Sequence, residues 1–154
     1  MEPRCAVVYP IIEIRNQTGG LESRHLVSER PWDQAQLAQA NYIDAMALIR
    51  RQAWEQVEGY THIPGGWEDY DFWCKLIDAH WHGVQCPQVL ATYTSHAASM
   101  RATSTNRQER QLRRLLQQRH PWLNLIRQKD VLVWPHSRPQ PPPANAPCGP
   151  ARQG

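Results

Sequence analysis

The chain has 154 residues, a formal net charge of +3, 17 Lys+Arg against 14 Asp+Glu, and 13 prolines. That length suits one domain or part of one, and it is long enough to bury a core without staples. No run of about 18 apolar residues exists, which excludes a transmembrane helix, and a charge this small does not by itself imply a nucleic-acid partner.

Met1-Glu2-Pro3-Arg4 leads into a short apolar run, Cys5 to Ile12, interrupted by Tyr9 and Pro10 and followed by no small-residue cleavage pattern. It reads poorly as a signal peptide. Ala6 to Tyr9 suits a buried strand. Asn16 to Gly20 reads as a turn, because Gly19-Gly20 permits positive φ. Weak alternation over Leu21 to Val27 predicts a second strand. Pro31-Trp32-Asp33 opens a short helix through Ala38. Ile43 to Ile49 has the composition of a buried strand, and Arg51 to Val57 that of a short helix stopped by Gly59.

A loop, Tyr60 to Gly66, precedes the best-formed helix, Glu68 to Ala79. There Tyr70, Trp73, Cys74 and Ile77 recur at i, i+3, i+4, i+7, and Phe72 and Leu76 widen the stripe. Gly83 is the expected stop. Val84 to Tyr93 reads as one or two short strands broken at Pro87. Thr105 to Gln118 is a polar, Arg-rich helix with Leu112, Leu115 and Leu116 as its stripe, and Pro121-Trp122 begins a last helical turn. Pro135 to Gly154 holds seven prolines and almost nothing apolar. Such a segment cannot bury enough surface to offset its ordering entropy, so a disordered tail with polyproline II character is expected.

Cys5, Cys74, Cys86 and Cys148 form no close pair. A zinc ribbon or knuckle is therefore not indicated, and reduced structural thiols of a cytosolic protein are the plain reading. His80-Trp81-His82 is a poor metal pair, since residues i and i+2 diverge on a helix.

The stretch richest in chemistry is Gly65-Gly66-Trp67-Glu68-Asp69-Tyr70-Asp71-Phe72-Trp73. Three carboxylates sit at the start of a helix, beside a glycine pair and among aromatic rings. Acidic residues in a first turn complement the helix dipole for roughly 0.3–1 kcal/mol each, which explains them without any chemistry. The same position also holds a carboxylate ionised and ready to accept a proton, while glycines admit a polar substrate and aromatic faces stack on sugar rings.

Asn41-Tyr42-Ile43-Asp44-Ala45-Met46-Ala47-Leu48-Ile49-Arg50-Arg51, then Trp54 and Gly59-Tyr60, precede this stretch. Gly83, Val89-Leu90, Tyr93, His96 and Ser99-Met100 follow it. In this order the residues resemble the C-terminal, acceptor-side half of a family 2 glycosyltransferase of the GT-A fold, over about Ala6 to Leu123. The resemblance implies an α/β, incomplete GT-A-like fold with a mixed sheet over residues 1–127, ahead of the Pro-rich tail at 128–154. It implies an inverting, bacterial-type enzyme of polysaccharide biosynthesis that moves a sugar from a nucleoside-diphosphate donor to an acceptor hydroxyl. The acceptor would be a saccharide, a lipid-linked group or a protein.

Asp69 maps to the general base, and Glu68 would orient the base or the acceptor. Asp71 lies about 200° round the helix from Asp69 and should not share its role. Gly65, Gly66, Trp67 and Asn41 would form the acceptor shelf, Arg101 would contact donor phosphate, and His96 would complete a metal or phosphate site. A divalent metal, Mg or Mn, belongs to the full-length family. The family's Asp-x-Asp metal motif is missing, since Asp69-Tyr70-Asp71 lies inside the acceptor motif. The chain therefore resembles a truncated product or one segment of a larger enzyme, lacking an N-terminal donor half or a partner chain. An exposed sheet edge beside Ala6 to Tyr9 is expected. A cytoplasmic place, peripheral at the inner membrane face, would follow. The rival expectation is a non-catalytic interaction module, using the Arg-rich helix and Pro-rich tail, or a gene remnant. Most of the arginines after Met100 read as a solvated helix face.

Overall fold

The computed structural model describes residues 3–18, 21–95 and 106–126. In chain order it contains β1 (Cys5–Thr18), β2 (Leu21–Val27), α1 (Gln34–Leu37), β3 (Leu48–Ile49), α2 (Arg51–Gln56), α3 (Glu68–Asp78), β4 (His82–Ser95) and α4 (Asn106–Arg119). The architecture is mixed α/β around an open four-stranded sheet. Among the described residues no helix is long and apolar enough to cross a membrane. The Pro-rich tail lies outside the described residues.

β1 is the axis of the sheet. It pairs antiparallel with β2 along Ile12–Thr18, antiparallel with β3 at Val7 and Val8, and parallel with β4 from Cys5 to Asn16. The expectation of a short strand at Ala6–Tyr9 beside an empty edge is therefore corrected: a parallel neighbour, β4, flanks it throughout. The turn predicted over Asn16 to Gly20 is corrected at its start, since β1 continues to Thr18, and Gly19-Gly20 lie outside the described residues. From Val7 onward strict alternation would bury positions 7, 9, 11 and 13, but Val7, Tyr9, Ile12 and Ile14 are the buried ones there. The phase slips where the register against β4 shifts, between Pro10, Ile11 and Ile12. Pro10 has no N–H to give the ladder, and a bulge there turns the next apolar residues inward. Pro87 falls in the same irregularity, where Pro10 pairs with Cys86 and Ile11 with Val89. β4 thus bulges at Pro87 and runs on as one strand, in place of the expected one or two short strands broken there.

Ile43 to Ile49 is not a buried strand. Only Leu48–Ile49 pairs, and Leu48 is 78% exposed. Its apolar composition is overruled by side-chain-to-backbone bonds upstream. Asn41 Oδ1 accepts from Ile43 N, and Asp44 Oδ1 accepts from Met46 N. Such Asx turns compete with a ladder.

The helices follow their end signals more closely. Asp33 caps α1 through Ala35 and Gln36. Gly59, at φ 62°, closes α2 by donating to Trp54 O, and its bare Cα lies under the Trp54 indole. α3 ends at Asp78, before Gly83, because left-handed His80 turns the chain and Trp81 N donates back to Leu76 O. Gly83 has a different purpose, as it makes room in β4 for the Trp32 ring.

α3 runs through the core. Tyr70, Phe72, Trp73, Cys74 and Leu76 are essentially sealed, and they join Val7 and Tyr9 of β1, Leu37 of α1, Ala53 of α2, and Leu112 and Leu116 of α4. Trp73 meets Trp32 edge-on at 6.3 Å. A methyl at Gly83 must displace the Trp32 ring from this packing. Gly83→Ala is expected to cost about 1–3 kcal/mol, read as a lower urea midpoint with unchanged slope.

Candidate active site

The loop ahead of α3 is built for a sharp entry. Gly65, Gly66 and Trp67 all have positive φ, at 97°, 102° and 71°. Glycine adopts this region freely, whereas at Trp67 it costs about 1–2 kcal/mol. Gly66 N donates to Ile63 O at 3.0 Å, and Asp71 N donates to Trp67 O at 3.0 Å, so the loop delivers the chain directly into the helix. The Trp67 ring stands T-shaped to Tyr70 at 5.9 Å and is half-buried. A side chain at Gly65 would run into Gln108 of α4, so the glycine lets α4 lie close to the loop.

Asp69 is half-buried in the first turn of α3. Its Oδ1 accepts from Tyr70 N at 2.8 Å, and its Oδ2 accepts from Asn41 Nδ2 at 3.0 Å. One oxygen thus satisfies a helix N–H that has no intrahelical partner, and the positive end of the helix favours the anion. Asn41 is held in turn, because its Oδ1 is taken by Ile43 N at 3.1 Å. The amide is thereby fixed with its N–H toward the carboxylate. Glu68 is half-buried beside it, with its Oε1 3.9 Å from His62 Nδ1. Of the sequence candidates, Gly65, Gly66, Trp67, Asp69 and Asn41 come together. His96 and Arg101 lie outside the described residues.

Two neighbours, Tyr60 and Asp44, stand among the residues that carry the resemblance but have no site role in it. Tyr60 packs against Trp54 at 4.9 Å and Phe72 at 4.8 Å. Its hydroxyl is pushed above the usual phenol value by burial, with the charges of Asp69 and Asp44 adding to the effect. Both carboxylates therefore act on the Tyr60 phenol. Their place beside Asp69 is not legible in the sequence, since it depends on the turns at Asn41 and Asp44. Among the described residues no three His, Cys, Asp or Glu side chains gather to hold a metal ion.

Asp71 is separate from Asp69, as its position on the helix requires. It is fully buried and bound by Arg119 twice, Nε to Oδ1 at 2.6 Å and Nη2 to Oδ2 at 3.1 Å. His120 Nε2 lies 3.0 Å from the same Oδ1, and His120 Nδ1 lies 2.6 Å from Asp78 Oδ2. Trp122 Nε1 donates to Asp78 Oδ1 at 2.8 Å. Burial alone would push the Asp71 carboxyl up. Hydrogen bonds from His120, Arg119 and Thr61, with the Arg119 charge, outweigh burial and hold it well below the usual carboxylate range. Arg113 is also engaged, with Glu109 at 2.6 Å and Leu125 O at 3.1 Å. Arg110 and Arg114 are exposed, as the solvated-face reading has it.

No protein-family model, no curated protein and no solved structure matches the chain.

Because the Asp71 carboxyl titrates lower folded than unfolded, its contribution is complete above the unfolded value of about 3.9 and lost as pH falls below it. Asp71→Asn, which strands the Arg119 cation, is expected to cost about 3–5 kcal/mol at pH 7. Urea melts at pH 7 and at pH 3 check this: the gap between variant and wild type should narrow in acid.

Proposed function

We propose that this chain is the acceptor-side part of an inverting glycosyltransferase of GT-A architecture, with Asp69 as the general base. The observation that carries the reading is the held carboxylate at a glycine-loop-to-helix entry. One oxygen of Asp69 is tied to the helix start, and the other is aimed by Asn41 at 3.0 Å. A base must be fixed in position before its basicity matters.

In this mechanism an acceptor hydroxyl lies against Gly66 and Trp67. Asp69 takes its proton as the oxygen attacks the anomeric carbon of a nucleoside-diphosphate sugar. The diphosphate leaves on the opposite side, so the configuration inverts. Asn41 is a positioning residue here, since its amide reaches the carboxylate. Trp67 supplies an aromatic shelf at the entry, and Tyr60 a phenol close to the same charges. Glu68 faces the acceptor side beside His62. The donor site lies on a segment or partner chain beyond the residues described, with Arg101 toward the diphosphate and His96 toward a phosphate or a Mg or Mn ion. A cytoplasmic location at the membrane face, where lipid-linked acceptors are presented, suits this activity.

The test is sugar transfer by the chain, alone and joined to the product of the extended upstream reading frame, read as nucleoside-diphosphate release over a panel of donors and acceptors. Asp69→Asn is isosteric and should fold normally, and it should lose about 10²–10⁴ in kcat. Asn41→Ala should lower kcat with KM little changed, because its effect passes through the base. Equal rates for wild type and Asp69→Asn would remove Asp69 as the base.

A further inference from the structure

α4 carries Gln108, Gln111, Gln117 and Gln118, and they differ in what they hold. Gln117 spends its amide on the chain that follows, donating to Leu123 O and accepting from Leu125 N at 2.9 Å. Gln111 and Gln118 are exposed. Gln108 is half-buried, and among the described residues its amide has no hydrogen-bond partner. Ordering a glutamine costs side-chain entropy, and taking its amide partly out of water costs hydration; hydrogen bonds ordinarily offset both. Among the described residues no sealed side-chain nitrogen or oxygen goes without a partner, so the Gln108 amide is open to solvent.

That amide stands at the candidate acceptor shelf. It lies against Gly65, with its oxygen nearest the place a Cβ would take. Gly65 and Gly66, at φ 97° and 102°, pass it as bare backbone before the chain reaches Trp67 and Asp69. Trp67 is half-buried, which leaves part of its ring surface in the open. The helix that carries Gln108 is held in place. Leu112 and Leu116 sit in the core, Arg119 grips Asp71 at 2.6 Å, and Arg113 donates to Leu125 O at 3.1 Å. An unspent amide, two bare glycines, an aromatic ring and the Asp69 carboxylate are thereby brought to one loop and helix start.

We infer, on the acceptor-side reading given above, that Gln108 binds the acceptor, and that the group it selects is a sugar ring with two adjacent hydroxyls, free or carried on a lipid, over a protein hydroxyl. A hydroxyl both gives and takes a hydrogen bond. A primary amide offers an accepting oxygen and a donating NH2 side by side in one plane, so two neighbouring hydroxyls of a ring meet both at once. A serine or threonine side chain brings one hydroxyl and leaves half of the amide unmet. The apolar C–H face of a sugar ring suits the open surface of Trp67. Few, convergent polar groups beside an aromatic wall are what fix a small ligand's orientation. Gln108 is uncharged, so it holds the ring without drawing on the charge of Asp69.

Nuclear magnetic resonance titration of the isotope-labelled full chain tests this with no donor present. The probes are methyl glucopyranoside, galactopyranoside and mannopyranoside, their monodeoxy analogues, and N-acetylthreonine methylamide as a single hydroxyl. At least one glycoside should saturably shift the Gln108 side-chain amide and the Gly65 and Gly66 N–H signals. Its analogue lacking one of the two adjacent hydroxyls should bind about 3–10-fold more weakly, the worth of one neutral hydrogen bond. Gln108→Leu keeps most of the side chain's bulk and should melt like wild type, yet bind parent and deoxy analogue equally weakly. Gln118→Leu, on the solvated face, should bind as wild type does. Binding that depends on Gln108 supports the proposal even if no sugar is transferred, an outcome that would count against the glycosyltransferase reading alone. Transfer whose KM is unmoved by Gln108→Leu would leave Asp69 as the base and overturn Gln108. Signals unmoved by every glycoside, Gln108→Leu binding like wild type, or equal shifts with the threonine derivative would overturn it as well.

Discussion

The buried carboxylate of Asp71 is the constraint around which the helical side of the molecule is arranged. A charge this deep is tolerated only when it is met in full, and Arg119 and His120 meet it from 48 and 49 residues away. The end of α4 is thereby pinned to the first half of α3. Asp78, two turns along α3, extends the hold to His120 and Trp122. Once α4 is pinned, Leu112 and Leu116 are committed to the core, and Gln108 is brought against the Gly65 loop. The position of the loop that carries Trp67 and Asp69 therefore rests on an ion pair some residues away from it.

The two acids of Asp69-Tyr70-Asp71 show how a helix separates roles by angle. Asp71 turns inward and is consumed by structure. Asp69 stays at the margin, with one oxygen engaged by the helix start and the other by Asn41. Lys75 anchors the same helix elsewhere by donating to Val57 O at 2.9 Å and to Gly59 O. α3 is thus held to the α2 turn as well as to α4, and its first turn has little freedom to drift.

Local signals carried much of this architecture. The 3.6-residue stripe of α3, the Asp33 cap and the Gly59 stop each act within one or two turns, so they can be read in order along the chain. What could not be read depends on partners far apart in sequence. Ile43 to Ile49 has strand composition, yet Asn41 and Asp44 divert the backbone before a ladder forms. The length of β1 depends on β4 running beside it and on a bulge that corrects the phase at Pro10. Gly83 resembles a helix stop until the Trp32 ring is seen to occupy the space it leaves. The contact from Asn41 to Asp69 spans 28 residues, and Arg119 looks like any other arginine of a solvated helix until it is found on Asp71.

The tryptophan packing has an optical consequence. Trp32 and Trp73 stand 6.3 Å apart at 81°, and Trp54 meets the Tyr60 ring at 4.9 Å and 88°. Fixed, chiral arrangements of rings give near-ultraviolet ellipticity, which vanishes when side chains become fluid even while helices persist. The chain therefore carries its own gauge of side-chain order, without any attached dye.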